Sequence, residues 1–439
     1  MAVRILLASL LAAAALAAAA AVPAEARRGP CVEDRSGPRC TFWDAKVAVV
    51  YDGDTVAADV MGDGTRAPRR VRFTGINTME LGHHLGRRPA CHALAAKALV
   101  KRYVRASHGR IRVAAQRASS RSGVRLRRAV WVKVGGRWRD LSRILVERGL
   151  ALWLPNDTEY AHNGEYAALA ELAAAARRGL YDPAACGLGP DQDLPVSLDI
   201  NWDALGEDGA NLAGEWVAIH NGGARPLRLD GWWLRDGGPW RGLGGVPGYG
   251  FPPGTVVPAG GSLRLRAGCG LDTATDLHWC LHQSLFGNVT GAPVHRGDGA
   301  YLFDPDGDVR ASMIYPCLAA CADPLGGVVR LGVHASRPES ITVVNAGAQP
   351  VDLGGHILKQ TMSNAVHAFS LAAPFERGTV LAPGQALRIL PQGSPSNDTP
   401  LVRHLAIDGY ALPDDGAAIS LRTLDDLVTT CTAWGRGRC

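Results

Sequence analysis

The sequence predicts a multidomain protein in which an α+β barrel of five strands and three helices precedes two all-β sandwiches. The chain has 439 residues, too many for one ordinary domain. Strand-like and helix-like patterns alternate over residues 44–186, whereas glycine, tryptophan and alternating apolar residues dominate after residue 197. Landmarks in this second part recur at a constant offset, which indicates a duplicated domain.

The predicted barrel consists of short alternating segments with three stretches of helical periodicity between them. The strand candidates are Ala45–Tyr51, Thr55–Met61, Arg69–Ile76, Arg110–Arg117 and Arg127–Val134. The helix candidates are Pro89–Ser107, Asp140–Arg148 and Glu165–Arg178. Gly149 and Gly179 are predicted to end the second and third helices. Five strands with interleaved helices form a small barrel with helical cover.

The internal repeat defines the two sandwiches. Glu215 and Asn221 recur as Glu339 and Asn345, and eight landmarks share this offset of 124 residues. Short strands separated by turns predict β-sandwiches over residues 198–321 and 322–439, joined to the barrel by a linker over residues 187–197. The acidic segment 304–308 lacks the distal Glu of an EF-hand, so a hairpin turn is predicted there.

Charge is divided unevenly along the chain. The formal net charge is +6, but residues 27–190 hold 29 Arg and Lys against 15 Asp and Glu, whereas residues 191–439 hold 17 against 25. A general preference for arginine is the alternative explanation, yet it would act on both halves. The basic half therefore predicts a polyanionic partner such as DNA or RNA.

The N-terminus predicts export. Residues 1–26 combine a positive residue (Arg4), an apolar core and an Ala24-Glu25-Ala26 cleavage site, the pattern of a secretory signal; an uncleaved anchor is the alternative. Residues 27–43 are polar and rich in Pro and Gly, so an exposed lead-in is predicted there. We therefore expect a secreted protein, extracellular or associated with a cell surface.

Ten cysteines, an even number, fit an exported and oxidised chain. The spacing predicts the local disulfides Cys31–Cys40, Cys269–Cys280, Cys317–Cys321 and Cys431–Cys439, which leaves Cys91 to pair with Cys186. A zinc site is the alternative, but no CxxC motif is present. Three histidines near Glu80 are weaker candidates for a transition metal: His83, His84 and His92.

Four charged residues lie on strand-like segments between residues 49 and 80: Asp52, Asp54, Arg72 and Glu80. A carboxylate pair can hold a hard cation through oxygen. The cation and a guanidinium can neutralise the charge that builds on a phosphate, and a further carboxylate can take a proton from attacking water. This combination suits cleavage of a phosphodiester. A solvated turn is the alternative for the Asp-Gly-Asp segment alone.

The same stretch resembles the thermonuclease (staphylococcal-nuclease-like) family, whose pattern is Asp-Gly-Asp-Thr, a strand Arg, then Asp-Thr-Pro-Glu. The first piece is intact at residues 52–55, and the last reads Asn77-Thr78-Met79-Glu80, so Asn replaces Asp and Met replaces Pro. Segments 145–151 and 176–181 also resemble that family, so the resemblance covers about residues 44–183. It implies an OB-fold barrel and calcium-dependent hydrolysis of DNA or RNA.

The resemblance also implies a metal site. Calcium would bind the Asp54 carboxylate, the Asn77 side chain and the Thr78 carbonyl, with Asp52 and Thr55 in support. An amide oxygen can ligate calcium but brings no charge. Weak calcium affinity, or a weak or inactive enzyme, is therefore an open alternative.

The remaining roles follow from the same resemblance. Glu80 would be the general base or would orient the attacking water. Arg72 would hold the scissile phosphate through its two guanidinium nitrogens. The second phosphate arginine would be Arg125, with Arg127 as the alternative.

The first sandwich resembles the lamin-tail domain, an immunoglobulin-like sandwich, through Gly214–Asn221 and Leu229–Trp232. The second copy keeps Val351–Gly355 but lacks the tryptophans, so it is a divergent match. Such domains would hold the protein near a surface, a partner or a polymer.

Together these features predict a secreted calcium-dependent nuclease with two attachment domains. The alternative is a catalytically weak or inactive protein that binds nucleic acid or a cell surface through a degenerate nuclease barrel. A structural surface adhesin led by the sandwiches is a third hypothesis.

Overall fold

The structure, a computed structural model, describes residues 26–32, 37–82, 88–187, 193–238, 248–362, 371–407, 409 and 411–439. The predicted signal segment lies outside the described residues except for its last residue. So do His83 and His84 and part of the predicted linker.

The N-terminal half forms a closed barrel of five strands. The ring runs β2-β3-β4-β8-β6 and closes through a β2–β6 pairing, and its single parallel contact joins β4 to β8. Strands β1, β7 and β9 extend this sheet, and β5 pairs separately with β10. The bounds are β1 Arg27–Pro30, β2 Arg39–Val50, β3 Thr55–Val60, β4 Arg69–Phe73, β5 Ile76–Thr78, β6 Arg110–Ala115, β7 Arg121–Ser122, β8 Arg125–Val134, β9 Arg137–Asp140 and β10 Ala151–Trp153.

Three helices cover the barrel, as the sequence predicts: α1 Ala93–Ala106, α2 Leu141–Glu147 and α3 Asn163–Ala175. Helix α2 begins after Asp140, whose carboxylate accepts the backbone N–H groups of Ser142 and Arg143 at 2.9 and 3.2 Å. Gly149 follows α2 with φ 64°, as predicted. A Cβ on Gly149 would lie 2.0 Å from the Arg178 carbonyl oxygen, so only glycine fits this crossing.

The end of α3 differs from the prediction. The helix ends at Ala175, four residues before Gly179, and Arg177 adopts a left-handed conformation (φ 49°), as Gly179 also does (φ 55°). Gly179 instead begins a short 3-10 turn, Gly179–Tyr181, because its backbone packs against Gly149. Leu180 N–H donates to the Gly149 carbonyl at 2.8 Å and fixes that contact.

Strand bounds also differ at the barrel's edges. The lead-in contains β1, which pairs with a β2 that begins at Arg39, six residues before the predicted start. The strand expected over residues 69–76 divides into β4 and β5 at a turn through Thr74 and Gly75. Short edge strands such as β9 and β10 carry too few residues for a periodic signal, and the sequence does not predict them.

The second half forms two sandwiches with the same strand order. In the first sandwich the sheets are β11-β12-β17-β18 and β15-β14-β19-β20; in the second they are β21-β22-β27-β28 and β25-β24-β29-β30. Each has a short extra pair (β13–β16 and β23–β26) and one parallel contact (β17–β18 and β27–β28). The hairpin turn predicted at residues 304–308 joins β19 to β20, with the Asp304 carboxylate accepting three backbone N–H groups.

The strands of the first sandwich are β11 Val196–Asn201, β12 Trp216–Asn221, β13 Leu227–Arg228, β14 Trp233–Asp236, β15 Tyr249–Gly250, β16 Val256–Val257, β17 Ser262–Arg266, β18 Asp276–His278, β19 Asp298–Phe303 and β20 Val309–Tyr315. Those of the second are β21 Val329–His334, β22 Ser340–Asn345, β23 Val351–Asp352, β24 His356–Met362, β25 Ala372–Pro374, β26 Val380–Leu381, β27 Ala386–Leu390, β28 Val402–His404, β29 Gly416–Thr423 and β30 Val428–Gly435.

The repeat landmarks occupy equivalent buried positions. The Asn221 amide donates to the Arg225 carbonyl at 2.6 Å, and the Asn345 amide donates to the Gln349 carbonyl at 2.8 Å. Each side-chain oxygen accepts the N–H two residues further on, in both cases at 2.9 Å. The constant offset in the sequence thus reflects the same buried hydrogen bonds in both copies.

All five predicted disulfides are present: Cys31–Cys40, Cys91–Cys186, Cys269–Cys280, Cys317–Cys321 and Cys431–Cys439. Every cysteine is therefore paired, which removes the thiols on which the zinc alternative depended. Five disulfides are typical of proteins from an oxidising compartment. Within the described part of the chain, no helix is both long enough and apolar enough to cross a membrane.

The barrel and the first sandwich share a core. Four buried sandwich residues, Tyr301, Phe303, Val309 and Ile314, pack in the same cluster as the apolar residues of the barrel and its helices. Each sandwich also has a cluster of its own. One face of the barrel is therefore covered by the first sandwich.

Candidate active site

The Asp-Gly-Asp turn between β2 and β3 is rigid and places its carboxylates at one end of the barrel. The Asp54 backbone N–H donates to the Asp52 carboxylate at 3.0 Å, and the Tyr51 N–H donates to the Thr55 carbonyl at 3.0 Å. A Cβ on Gly53 would lie 2.7 Å from the Ala96 Cβ on helix α1. Glycine therefore lets the turn pack directly under that helix.

Asp54 lies at the buried centre of the site and is only 1% exposed. One carboxylate oxygen accepts the Thr55 hydroxyl at 3.0 Å and an Arg72 guanidinium nitrogen. The other accepts the Thr78 backbone N–H at 2.7 Å and the Thr78 hydroxyl at 3.0 Å. Four donors thus satisfy both oxygens of this buried carboxylate.

Arg72 points into the barrel. It faces Thr55 across the β3–β4 ladder, and its side chain is 10% exposed. Besides Asp54, its guanidinium donates to the Asn77 side-chain oxygen at 2.7 Å and to the Ile76 carbonyl at 3.3 Å. The Asn77 amide in turn donates to the carbonyls of Gly237 and Gly238, at 3.3 and 3.0 Å, in the first sandwich.

The groups that remain accessible form a rim around this buried pair. Glu80 is exposed, and Asp52 and Arg125 are partly buried. Burial and the neighbouring Asp54 carboxylate raise the pKa of Asp52 to about 6, and Glu80 adds to the effect. Burial, followed by the charge of Arg72, lowers the pKa of Arg125, while nearby acids including Glu80 oppose that change. The rim therefore presents acids and a guanidinium together.

The two candidates for the second phosphate arginine differ in their surroundings. The Arg125 guanidinium makes only long hydrogen bonds, to the Ser122 carbonyl at 3.4 Å and hydroxyl at 3.3 Å. Burial lowers the pKa of Arg127, and the acid that acts on it most strongly is Glu159. Arg125 is consequently the better placed of the two to meet a ligand beside Glu80.

The fit of a calcium ion can be judged from the donors and acceptors. Both Asp54 oxygens already accept two donors each, and the Asn77 oxygen accepts Arg72. Calcium takes six to eight oxygen ligands, usually with several carboxylates. Thr78 donates its N–H and its hydroxyl to the Asp54 carboxylate, and only its carbonyl was predicted as a ligand. These residues, so bonded, do not fit a calcium cage, and calcium binding stays a prediction of the resemblance.

The first sandwich contributes residues that sequence reasoning did not predict. Arg235, at 4% exposed, donates to the Gly238 carbonyl at 2.6 Å and to the Asp236 carbonyl at 3.1 Å. Burial lowers the pKa of Arg235, while Asp236 and Glu80 oppose this. Gly238 is 161 residues from Asn77 in sequence, so local patterns do not report their contact. The one local signal was Asn77 itself, which stands where the thermonuclease pattern has Asp.

Other candidates lie apart from this site. His92 precedes helix α1 next to the Cys91–Cys186 disulfide, and burial lowers its pKa. A cleft of about 860 Å³, whose lining includes Trp138, Arg143 and Glu165, contains none of the predicted site residues.

Together the fold and the site define a closed five-stranded barrel with three helices, consistent with an OB-fold, followed by two β-sandwiches. Residues 199–316 match the family model of the Lamin Tail Domain. The match confirms the resemblance of the first sandwich. No match to a thermonuclease family model was found for the barrel, and the comparison with curated proteins gave no match.

Proposed function

We propose that the barrel binds nucleic acid and hydrolyses its phosphodiester bonds. The observation that supports this proposal is that the accessible groups Asp52, Glu80 and Arg125 lie close enough for their charges to act on one another, and that Arg72 acts on both Asp52 and Arg125. An acid beside guanidinium groups is what hydrolysis of an anionic ester needs. The excess of Arg and Lys over Asp and Glu in residues 27–190 favours the same class of ligand.

In the proposed reaction, the Glu80 carboxylate accepts a proton from water as the water oxygen bonds to phosphorus. The bond from phosphorus to the leaving oxygen breaks, and that oxygen takes up a proton from solvent. Arg125 stabilises the charge that develops on the phosphate, and Arg72 adds positive charge from the interior. Arg72 would contact the phosphate itself only by exchanging its hydrogen bonds to Asp54 and Asn77.

The disulfides favour action outside the cell, and the two sandwiches are proposed to attach the enzyme to a surface, partner or polymer. The large contact between barrel and first sandwich leaves the second sandwich as the more available of the two for such a partner.

A second candidate function is binding of nucleic acid or a cell surface without cleavage. The specific observation that favours it is the closed set of hydrogen bonds among Asp54, Arg72 and Asn77, which leaves the central arginine without a vacant face toward solvent. The rim arginines would then bind phosphates while no group activates water.

A cleavage assay and a binding assay on the full chain without residues 1–26 distinguish these functions. Plasmid nicking and fluorescence polarisation of a labelled single-stranded oligonucleotide would be measured with calcium or with a chelator. We expect Glu80→Gln to remove most cleavage while binding survives, and Glu207→Gln, an exposed acid on the first sandwich, to change neither. We expect Arg125→Gln to weaken binding and reduce its salt dependence.

Each result decides between the hypotheses. Binding by the wild type without cleavage under either condition supports the second function. Absence of both activities excludes both functions, and unchanged cleavage by Glu80→Gln removes Glu80 from the mechanism.

A further inference from the structure

The turn that follows β14 in the first sandwich lies directly on the barrel strands that carry Asn77. Gly237 fits so closely that a Cβ there would lie 2.2 Å from the Trp153 carbonyl oxygen of β10. Strand β10 pairs with β5, where Leu152 faces Asn77. The contact is therefore made by backbone against backbone, at the point where the buried site reaches the sandwich.

A continuous line of hydrogen bonds crosses this contact. Asp54 accepts from Arg72, Arg72 donates to the Asn77 oxygen at 2.7 Å, and the Asn77 amide donates to the Gly238 carbonyl at 3.0 Å. The same carbonyl accepts from Arg235 at 2.6 Å. Asn77, 4% exposed, is the one side chain in this line that both accepts from the barrel and donates to the sandwich.

Only an amide meets both requirements at this position. An ionised carboxylate could accept from Arg72, but its second oxygen would face the carbonyl oxygens of Gly237 and Gly238 with no proton between them. The departure from the acidic family pattern therefore has a structural explanation in this chain: a sandwich occupies the space beside residue 77.

We propose that Asn77 is the docking residue between the barrel and the first sandwich, and that Arg235 is a positioning residue that holds the Gly238 carbonyl toward it. The acidic site is thereby assembled from both domains, with a sandwich turn as one of its walls. The inference stands on interdomain contacts and holds whether or not the proposed function does. It also implies that Asn77→Asp does not restore a calcium ligand.

The test compares thermal unfolding of the full chain without residues 1–26, with 10 mM calcium or with a chelator. Asn77→Asp leaves the Gly237 carbonyl without its donor, removes one of the two donors of the Gly238 carbonyl and places a carboxylate oxygen against both, so we expect its Tm to fall by roughly 4 °C or more. Gly237→Ala, which forces the turn away from Trp153, is expected to cause a comparable loss. The double variant is expected to lose clearly less than the sum, because both changes break one contact.

Two matched controls use the same substitutions elsewhere. The first control is Asn156→Asp. The Asn156 side-chain oxygen accepts the N–H groups of Thr158 and Glu159, and a carboxylate oxygen can accept the same two hydrogen bonds. The second control is Gly209→Ala, because a Cβ added at Gly209 would have no heavy atom within 4 Å beyond its chain neighbours. Both are expected to change Tm by less than about 1 °C.

The rival explanation, that Asn77 is a lost calcium ligand, gives opposite results. An Asn77→Asp variant as stable as the wild type overturns the docking role. The docking role is also overturned if calcium raises the Tm of Asn77→Asp by more than it raises the Tm of the wild type. Losses of Tm that add up in the double variant overturn it as well. Since no readout here is DNA cleavage, failure of this inference is separable from failure of the proposed function.

Discussion

Arg377 of the second sandwich forms an ion pair with the buried Asp199 of the first sandwich, and its removal gives a prediction with a defined magnitude. Its guanidinium donates to both oxygens of Asp199, each at 2.9 Å. Asp199 is 8% exposed and also bonds His220 at 2.7 Å. Burial alone would raise the pKa of Asp199, but hydrogen bonds from His220 and Arg377 outweigh it and lower the pKa to about 2.

The magnitude follows from that pKa. A change from 3.8 to about 2 corresponds to roughly 2 kcal/mol of stabilisation at neutral pH. Two partners share it, and the Arg377 side chain is 47% exposed, so solvent screens part of its contribution. We expect Arg377→Gln to lower the free energy of unfolding by about 1 kcal/mol at pH 7.

The sign of the pH dependence is fixed by the depressed pKa. The stabilisation is fully present above the unfolded value of 3.8 and is lost as the pH falls through about 2. The difference between wild type and Arg377→Gln should therefore be constant from pH 7 to about 4.5 and fall to about half by pH 3. Urea unfolding followed by tryptophan fluorescence, with the disulfides intact, measures this difference.

The neighbouring residue supplies a control. Glu376 also bridges the two sandwiches, accepting from Arg264 at 2.7 Å, but its side chain is 63% exposed. Glu376→Gln is expected to cost less than about 0.5 kcal/mol. The reasoning is refuted if Glu376→Gln costs as much as Arg377→Gln, or if the effect of Arg377→Gln grows between pH 4.5 and pH 3.

Three further predictions concern the site, the disulfides and the repeat. The pKa of Asp52 is raised to about 6, so its ionised form opposes folding above pH 6. Asp52→Asn should therefore raise the free energy of unfolding by about 1 kcal/mol at pH 8 and by little at pH 4. A Tm of this variant that falls at pH 8 contradicts the prediction. Replacing Cys91 and Cys186 by Ser, at a sequence separation of 95, should cost about 3 kcal/mol more in urea unfolding than replacing Cys317 and Cys321, at a separation of 4; equal costs refute the loop-entropy argument. Asn221→Ala and Asn345→Ala should each cost about 2 kcal/mol, since both leave buried carbonyls unpaired; loss at only one position would show that the copies do not depend on the same bonds.

Local patterns predicted most of the fold. Strands such as β3, the end of helix α2 at Gly149 and all five disulfide pairs depend on residues close in sequence or on the count of cysteines, so the sequence alone was enough. Helix α3 ended earlier than predicted because Gly179 is required by a backbone crossing with Gly149, a contact that periodicity does not report.

The site was only partly predictable. The charged residues themselves indicated Asp54 and Arg72, the resemblance to thermonucleases indicated Asn77, and the structure brings the three into a chain of direct contacts. Which groups face solvent could not be predicted, because burial depends on barrel closure and on the sandwich packed beside it. Arg235 was not predicted at all. The turn after it reaches a barrel strand through the contact between Gly237 and Asn77, which are 160 residues apart, and no pattern near residue 235 indicates that contact.

The shared core decides how the domains can be separated in any experiment. Tyr301 packs against Tyr181 with ring centroids 6.4 Å apart, and Phe303 lies in the same apolar cluster as the barrel. A fragment ending near residue 190 would expose these barrel surfaces and leave Asn77 without its two carbonyl acceptors. An inactive fragment of that kind would therefore report the loss of a wall of the site rather than the chemistry of Glu80. Single substitutions in the full chain keep that wall in place and test the chemistry directly.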